Sequence, residues 1–117
     1  MRKFFFISTP TSLLHFDEDT LMYVQADGNY VTLHFRDSSA KVLTMQLHEF
    51  EALLSRKAVS KFSKVGRSLI VNIQYVFSIN TTRQELVISD KVMFSHTLTA
   101  SKDAVENLKR IIENSEK

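Results

Sequence analysis

The sequence predicts a mainly β domain of about ten short antiparallel strands, with one short internal helix and a second helix near its C-terminus. Short apolar or alternating runs recur along the chain, and brief polar turns separate them. Only residues 46–55 and 101–112 change to the period of an amphipathic helix. The length of 117 residues fits one domain over residues 1–117, because a chain of this size can bury its own core.

The first 45 residues predict five strands, over 4–7, 13–16, 21–26, 29–36 and 40–45. Residues 1–15 are interpreted as an N-terminal strand extension of the domain. Residues 9–12 join the first two strands, because their proline and hydroxyl groups suit a turn. The acidic residues 17–19 are expected to form a solvated loop before the third strand. A metal site is the weaker alternative, because three adjacent carboxylates in a strand cannot all point the same way.

Asp27 and Gly28 predict a hairpin after the third strand. An Asp-Gly pair between two strand-like runs favours a type I′ turn, which needs residues with positive φ. In the strand that follows, Val31, Leu33 and Phe35 alternate with polar residues. This alternation indicates an antiparallel strand with one buried face and one polar face.

The internal helix is predicted over residues 46–55, where Leu47, Phe50 and Leu54 fall on one helical face. Thr44 is its candidate N-cap. Five further strands are predicted in the second half, over 62–65, 69–73, 75–79, 85–89 and 93–98. Ser101 is expected to cap the final helix, and residues 113–117 are expected to fray.

The stretch 62–73 carries the strongest sign of a binding loop. A strand-like run ends at Gly66, and a buried apolar run begins two residues beyond it. Lys64, Arg67 and Ser68 are therefore expected on or beside a short loop between two anchored strands. Anchored strands with polar loop residues are the usual division between scaffold and binding site.

The charge around this loop is one-sided. Residues 52–84 contain no acidic residue, and the rest of the chain carries more acidic than basic groups. A positive segment attracts polyanions, and Lys and Arg contacts to phosphate supply most non-specific nucleic-acid affinity. On composition alone, a solvated basic face without a partner is the favoured interpretation. The basic residues of the segment are Arg56, Lys57, Lys61, Lys64, Arg67 and Arg83.

No residue pattern in the sequence indicates an enzyme, a cofactor or a metal site. The chain has no cysteine, and none of its four histidines has metal-site spacing. No nucleophile elbow, phosphate-binding glycine loop or dinucleotide fingerprint is present. His34 is expected to be an exposed strand residue, and Asn72 is expected to have a structural hydrogen-bonding role. No apolar run approaches the ~20 residues of a membrane span, and we expect a cytoplasmic protein without membrane insertion.

Four segments in register resemble one family. Residues 23–31 resemble the "YIEADGNYV" signature of the LytTR DNA-binding domain, and residues 62–73 resemble its "F-x-R-I-H-R-S-Y-I-V-N" signature. Residues 47–54 resemble the short helix of the family, and residues 98–102 are similar to its "L-P-V-S-R" segment. The order and separations match, and the resemblance spans residues 16–112.

The resemblance implies an elongated all-β transcription-factor domain whose loops, rather than a recognition helix, lie in successive major grooves of bent double-stranded DNA. The implied function is sequence-specific DNA binding by a bacterial transcriptional regulator. Lys61 and Lys64, upstream of the central loop, are expected to contact phosphates. The residues that match the contact positions of the family are Asn29 or Tyr30 on the first hairpin, Arg67 with Ser68 on the central loop, and Ser101 with Lys102 before the last helix.

Three departures from the family pattern bear on the target sequence. Gly66 stands where the family usually has His, and Lys102 replaces a common Arg, which removes the planar fork that reads guanine. Gln25 replaces a common acid. These changes are not expected to affect the fold, but the preferred DNA sequence is expected to differ from that of members with the usual residues.

The family usually joins this domain to an upstream receiver domain, and the segment before residue 16 is too short for one. The chain therefore acts alone, takes its signal from a sensor or membrane partner protein, or is a fragment of a longer protein. We expect a monomer or weak dimer, paired on direct repeats. The alternative is a protein-interaction module on a degenerate LytTR scaffold, with Phe4, Phe5 and Phe6 as an adhesive edge, although a core role is favoured for these three.

Overall fold

The computed structural model describes residues 4–56 and 61–115, and within these ranges it contains ten strands and two helices. The predicted mainly β class is confirmed. The helices are α1 (Leu47–Arg56) and α2 (Lys102–Ser115). The strands are β1 (Phe4–Ser8), β2 (Leu13–Asp17), β3 (Leu21–Asp27), β4 (Tyr30–Phe35), β5 (Ala40–Thr44), β6 (Phe62–Val65), β7 (Leu69–Asn72), β8 (Val76–Asn80), β9 (Glu85–Ser89) and β10 (Ser95–Thr99).

The strands of the described ranges form three antiparallel sheets. β1 pairs with β2, and β8, β9 and β10 form a three-stranded sheet in the order β10-β9-β8. The remaining strands form a five-stranded sheet in the order β5-β4-β3-β7-β6, with β3 at its centre. Short polar turns connect most of these neighbours, which is why the sequence shows short runs at close spacing.

Two hydrophobic cores lie on opposite faces of the five-stranded sheet. Leu21 and Val24 of β3 belong to the first core, which β1, β2 and α1 cover. Met22 and Tyr23 belong to the second core, which the three-stranded sheet and α2 cover. Consecutive residues of β3 are therefore buried on both faces of the sheet, and β3 is the common wall of the two cores.

Asn72 connects β7 to the start of β3. Its side chain is fully buried, and its Nδ2 donates to the Leu21 carbonyl at 2.9 Å. Its Oδ1 accepts from the Gln74 backbone N–H at 3.1 Å, which starts the 3-10 turn Ile73–Tyr75. Both polar ends of the buried amide are satisfied, so the predicted structural role of Asn72 is confirmed.

Two local predictions about turns and caps were wrong. Thr44 lies in β5, and α1 is capped by Glu49, whose Oε1 accepts from the Gln46 backbone N–H at 2.9 Å. In the β3–β4 hairpin Asp27 pairs with Tyr30, so the loop residues are Gly28 and Asn29. Only Gly28 of the two has positive φ, at 62°, so the turn is not type I′.

Element boundaries also differ near the C-terminus. β10 begins at Ser95 rather than at residue 93, because the Asp90 carboxylate binds the backbone N–H groups of residues 92–94 and holds them in a turn. α2 continues to Ser115, so residues 113–115 are helical in the structure, and residues 116–117 lie outside the described residues.

The acidic residues 17–19 are not a simple solvated loop. Glu18 is buried in the 3-10 turn Glu18–Thr20, and its Oε1 lies 3.3 Å from Lys61 Nζ. Lys61 also forms a hydrogen-bonded ion pair with Asp19, whose backbone carbonyl accepts from the Tyr75 hydroxyl. The sequence did not indicate this pairing, because the partners are about forty residues apart and their approach depends on the tertiary fold.

Two of the three phenylalanines in the N-terminal run differ from the predicted core role. Phe5 is buried in the first core, but Phe4 and Phe6 on the opposite face of β1 are 50% and 56% exposed. A core role is therefore wrong for Phe4 and Phe6. The alternation follows from the strand geometry, which sends consecutive side chains to opposite faces.

Candidate nucleic-acid interface

Two hairpin loops lie at the same end of the five-stranded sheet. β3 pairs antiparallel with β7, with Gln25 opposite Leu69, so the turn after β3 and the turn before β7 are neighbours. The Ala26 N–H donates to the Ser68 carbonyl at 2.8 Å and fixes the distance between them. The Gly28–Asn29 loop and the central loop 66–68 therefore form one continuous surface.

The junction between β10 and α2 lies on the other side of the central loop. Gly66, Arg67 and Ser68 line a groove of about 250 Å³ together with Ala100 and Ser101. A Cβ at Gly66 would lie 3.5 Å from the Ala104 Cβ, so the loop lies against the first turn of α2. Residues 28–30, 66–68 and 100–102 together form one surface, the loop edge.

The geometry of the central loop is fixed by its flanking residues. Val65 and Leu69 form a strand pair, and each is only 1% exposed. Gly66 has a φ of 68°, which glycine adopts without the steric cost of a Cβ. Buried anchors on both sides and a glycine at the bend hold Arg67 and Ser68 at the surface in a defined position.

The β3–β4 loop and the β10–α2 junction are held by side chains. Asn29 Oδ1 accepts from Gln46 Nε2 at 2.9 Å, which ties the loop to the residue before α1. Sequence reasoning missed Gln46, because no local signal links it to a loop seventeen residues earlier. Ser101 Oγ accepts from the Ala104 N–H at 3.2 Å, as predicted for the N-cap of α2.

Six of the eight predicted contact residues lie together on the loop edge, and all six are exposed. They are Asn29, Tyr30, Arg67, Ser68, Ser101 and Lys102. Lys64 is exposed on β6, two residues before the loop, and its Nζ lies 3.9 Å from Glu51. Lys61 lies beyond the other end of β6, so the structure does not bring it to the loop edge.

The two cations of the loop edge differ from Lys61 in their surroundings. Arg67 and Lys102 form no ion pair with any residue in 4–56 or 61–115. At Lys61, burial opposes the charge, but the hydrogen bonds and charges of Asp19 and Glu18 outweigh it and raise the pKa of the ammonium group. Lys61 is therefore engaged by carboxylates, whereas Arg67 and Lys102 face solvent. Lys57 lies outside the described residues.

An aromatic cluster connects the five-stranded sheet to the three-stranded sheet. The His34 ring stacks on Tyr23 with centroids 4.3 Å apart, and the His96 ring of β10 lies 5.8 Å from Tyr23. Burial, with a smaller contribution from the charge of His96, lowers the pKa of His34. Burial also raises the pKa of Tyr23. His34 is thus half-buried, and its prediction as an exposed residue was wrong.

Other features of the described residues do not form a competing site. No group of three or more His, Asp or Glu side chains is arranged for metal binding in the ranges that the structure covers. A groove of about 460 Å³ runs between β2 and the β4–β5 turn, lined by Phe16, Arg36 and Lys41, at the end of β4 opposite the loop edge. Neither described helix is long and apolar enough to cross a bilayer.

The fold and the site define a mainly β domain that displays loops from separate hairpins along one edge. The chain belongs to the LytTr DNA-binding domain family, whose model matches residues 12–113. A solved structure with the same fold is described as the LytTr DNA-binding domain of a methyl-accepting/DNA response regulator from Bacillus cereus. The TM-score is 0.67 at 18% identity, and the match covers 93% of this chain and 95% of that one. No curated protein matches the sequence.

Proposed function

We propose that this domain binds double-stranded DNA in a sequence-specific manner through the loop edge, as a bacterial transcriptional regulator. The observation that supports this most directly is the convergence of three loops, distant in sequence, on one exposed edge that carries Arg67 and Lys102 without ion-pair partners in the described part of the chain. Membership of the LytTr DNA-binding domain family supports the same conclusion.

Arg67 is proposed as the residue that reads bases. Its loop is anchored by buried strand residues, and a guanidinium group in a fixed position can donate twice to guanine O6 and N7. Lys102 lies at the start of α2 beside Ser101, where the partial positive charge of the helix N-terminus also favours a phosphate. Ser68 and Ser101 are proposed to donate to phosphate oxygens.

The β3–β4 loop is proposed to contact an adjacent part of the duplex. Asn29 and Tyr30 are exposed, and Tyr30 is 52% exposed despite its size. An asparagine amide can pair with adenine, and a tyrosine can donate to phosphate. The hydrogen bond from Gln46 occupies the Asn29 oxygen, so the amide N–H₂ group of Asn29 is the proposed donor.

Lys64 is proposed to contribute more to DNA binding than Lys61. Lys64 is exposed near the central loop and only loosely paired with Glu51, which supports a phosphate contact. Lys61 would have to leave Asp19 and the buried Glu18 to meet DNA, so its proposed contribution is indirect.

The operator is proposed to consist of direct repeats about one helical turn apart, as the resemblance to the family implies. Each repeat would be occupied by a monomer or one half of a weak dimer, and a sensor or membrane partner protein would supply the signal.

The test compares Arg67→Ala with Arg36→Ala on a duplex selected from a random DNA pool and on a scrambled duplex. Arg36 is exposed at the opposite end of β4, so its variant controls for the lost charge. Arg67→Ala should lower affinity for the selected duplex by about 5- to 150-fold, the equivalent of ~1–3 kcal/mol of base discrimination. Its effect on the scrambled duplex should be much smaller. An equal loss on both duplexes would exclude base reading by Arg67.

A protein-interaction module remains the alternative function, and one observation favours it. The outer face of the β1–β2 hairpin exposes Phe4, Phe6 and Leu13, of which Leu13 is 64% exposed. His15 stacks on Phe6 on the same face, with ring centroids 4.1 Å apart. If the wild-type protein selects no duplex from the pool at low salt, DNA binding fails and this alternative is retained.

A further inference from the structure

A fourth loop lies beside the loop edge. Residues 81–84 join β8 to β9, and Glu85 at the start of β9 pairs with Thr99 at the end of β10. The Ala100 N–H donates to the Gln84 carbonyl at 3.2 Å. The β8–β9 turn is therefore directly attached to the junction that carries Ser101 and Lys102.

The β8–β9 turn has a defined conformation. Asn80 Oδ1 accepts from the Arg83 N–H at 2.9 Å, which closes the turn. Gln84 adopts a φ of 56°, which allows the chain to reverse and enter β9. A turn closed by a side-chain acceptor holds its exposed residues in place, and here those residues include Thr82 and Arg83.

Arg83 is the cation that the turn itself supplies. It is exposed and has no ion pair with any residue that the structure describes. The other side of the turn faces α2, where Thr81 lines a groove with Glu106 and Arg110. Arg83 is the last basic residue of the acid-free segment 52–84, so the residues that precede it in the turn add no negative charge, and Glu85 follows at the start of β9.

We propose that Arg83 binds a DNA phosphate and extends the DNA-binding surface by one loop beyond the β10–α2 junction. This inference rests on the proposed function of the loop edge. A phosphate is the proposed target because the β8–β9 turn adjoins the loop edge without being part of it, and a cation beside the recognition loops is placed to meet the DNA backbone. Charge on the turn then contributes to affinity for any duplex but not to the choice of sequence.

The experiment measures DNA affinity at several salt concentrations for the wild type, Arg83→Gln and Arg36→Gln. Each neutralised phosphate contributes about −0.9 to the slope of log K against log salt. Arg83→Gln should make the slope shallower by about 0.9. The ratio of wild-type affinity to variant affinity should therefore fall about threefold between 50 and 200 mM salt. Arg36→Gln removes the same charge at the far end of the domain and should keep the wild-type slope.

A gain of charge tests the same contact from the opposite direction. Thr82→Lys adds a cation to the exposed turn and should steepen the slope and tighten binding on both selected and scrambled duplexes. Hydroxyl-radical footprinting should show that Arg83→Gln loses protection over only a few neighbouring backbone positions. Melting temperatures of the variants confirm that each compared protein is folded.

The outcomes separate this inference from the proposed function. If the wild type binds duplex DNA and Arg83→Gln keeps its slope and footprint, the proposal for Arg83 is overturned while the loop edge stands. If Arg83→Gln lowers affinity for the selected duplex alone, Arg83 reads a base and the phosphate assignment is wrong. If the wild type binds no duplex at low salt, both the proposed function and this inference fall.

Discussion

Replacing Asn72 with alanine should destabilise the domain far more than the loss of one polar surface residue. Asn72 is fully buried, and its amide satisfies the Leu21 carbonyl and the Gln74 N–H. Without the amide the Leu21 carbonyl is left buried without this partner, at a cost of about 1–3 kcal/mol. The lost bond to Gln74 adds about 1 kcal/mol, so the expected total is about 2–4 kcal/mol.

Urea unfolding of Asn72→Ala and Asn80→Ala measures this difference directly. Asn80 also accepts one backbone N–H through its side chain, but it is exposed, so its loss should cost only about 1 kcal/mol. Both variants should keep the wild-type m-value if unfolding stays two-state. If the two variants lose the same free energy, the buried amide does not connect β3 to β7 in the way described, and the argument from burial fails.

Two further predictions concern the interior. The lowered pKa of His34 means that the unfolded chain binds its proton more readily, so stability should fall as the pH drops below about 6.5. His34→Gln should show a smaller loss than the wild type between about pH 7 and pH 5 in urea titrations, and parallel curves would contradict this. Phe5→Ala should cost about 3–5 kcal/mol, whereas Phe6→Ala, on the exposed face of the same strand, should cost less than about 1 kcal/mol. Similar losses for the two would contradict the assigned faces of β1.

Local patterns were sufficient to predict most of the strands and both helices. The alternation of Val31, Leu33 and Phe35 gave the buried face of β4, because these three residues are buried and the residues between them are only partly buried. The central loop was predicted from Gly66 and its apolar flanks, and both flanks are buried as strand ends. These features depend on residues close in sequence, so a single chain is enough to reveal them.

The sequence could not reveal contacts that only the tertiary fold creates. Lys61 was grouped with the other basic residues because it shares their segment, yet it pairs with acids that precede it by about forty residues. No feature of the neighbouring sequence distinguishes Lys61 from Lys102. The packing of β1 likewise depends on its register with β2, so three successive phenylalanines gave no indication of which one is buried.

The position of β3 between two cores has a consequence for how the protein opens. A strand packed on both faces is released only when both cores are disrupted, so its amide hydrogens exchange with solvent through global unfolding. The β1–β2 hairpin contacts only the first core, so it can detach in a local opening that requires less free energy than global unfolding. The turns next to Ala26 and Ser68 are connected to β3 and β7, and both strands contribute residues to both cores. Partial opening of the outer layers therefore leaves the spacing of those two turns intact.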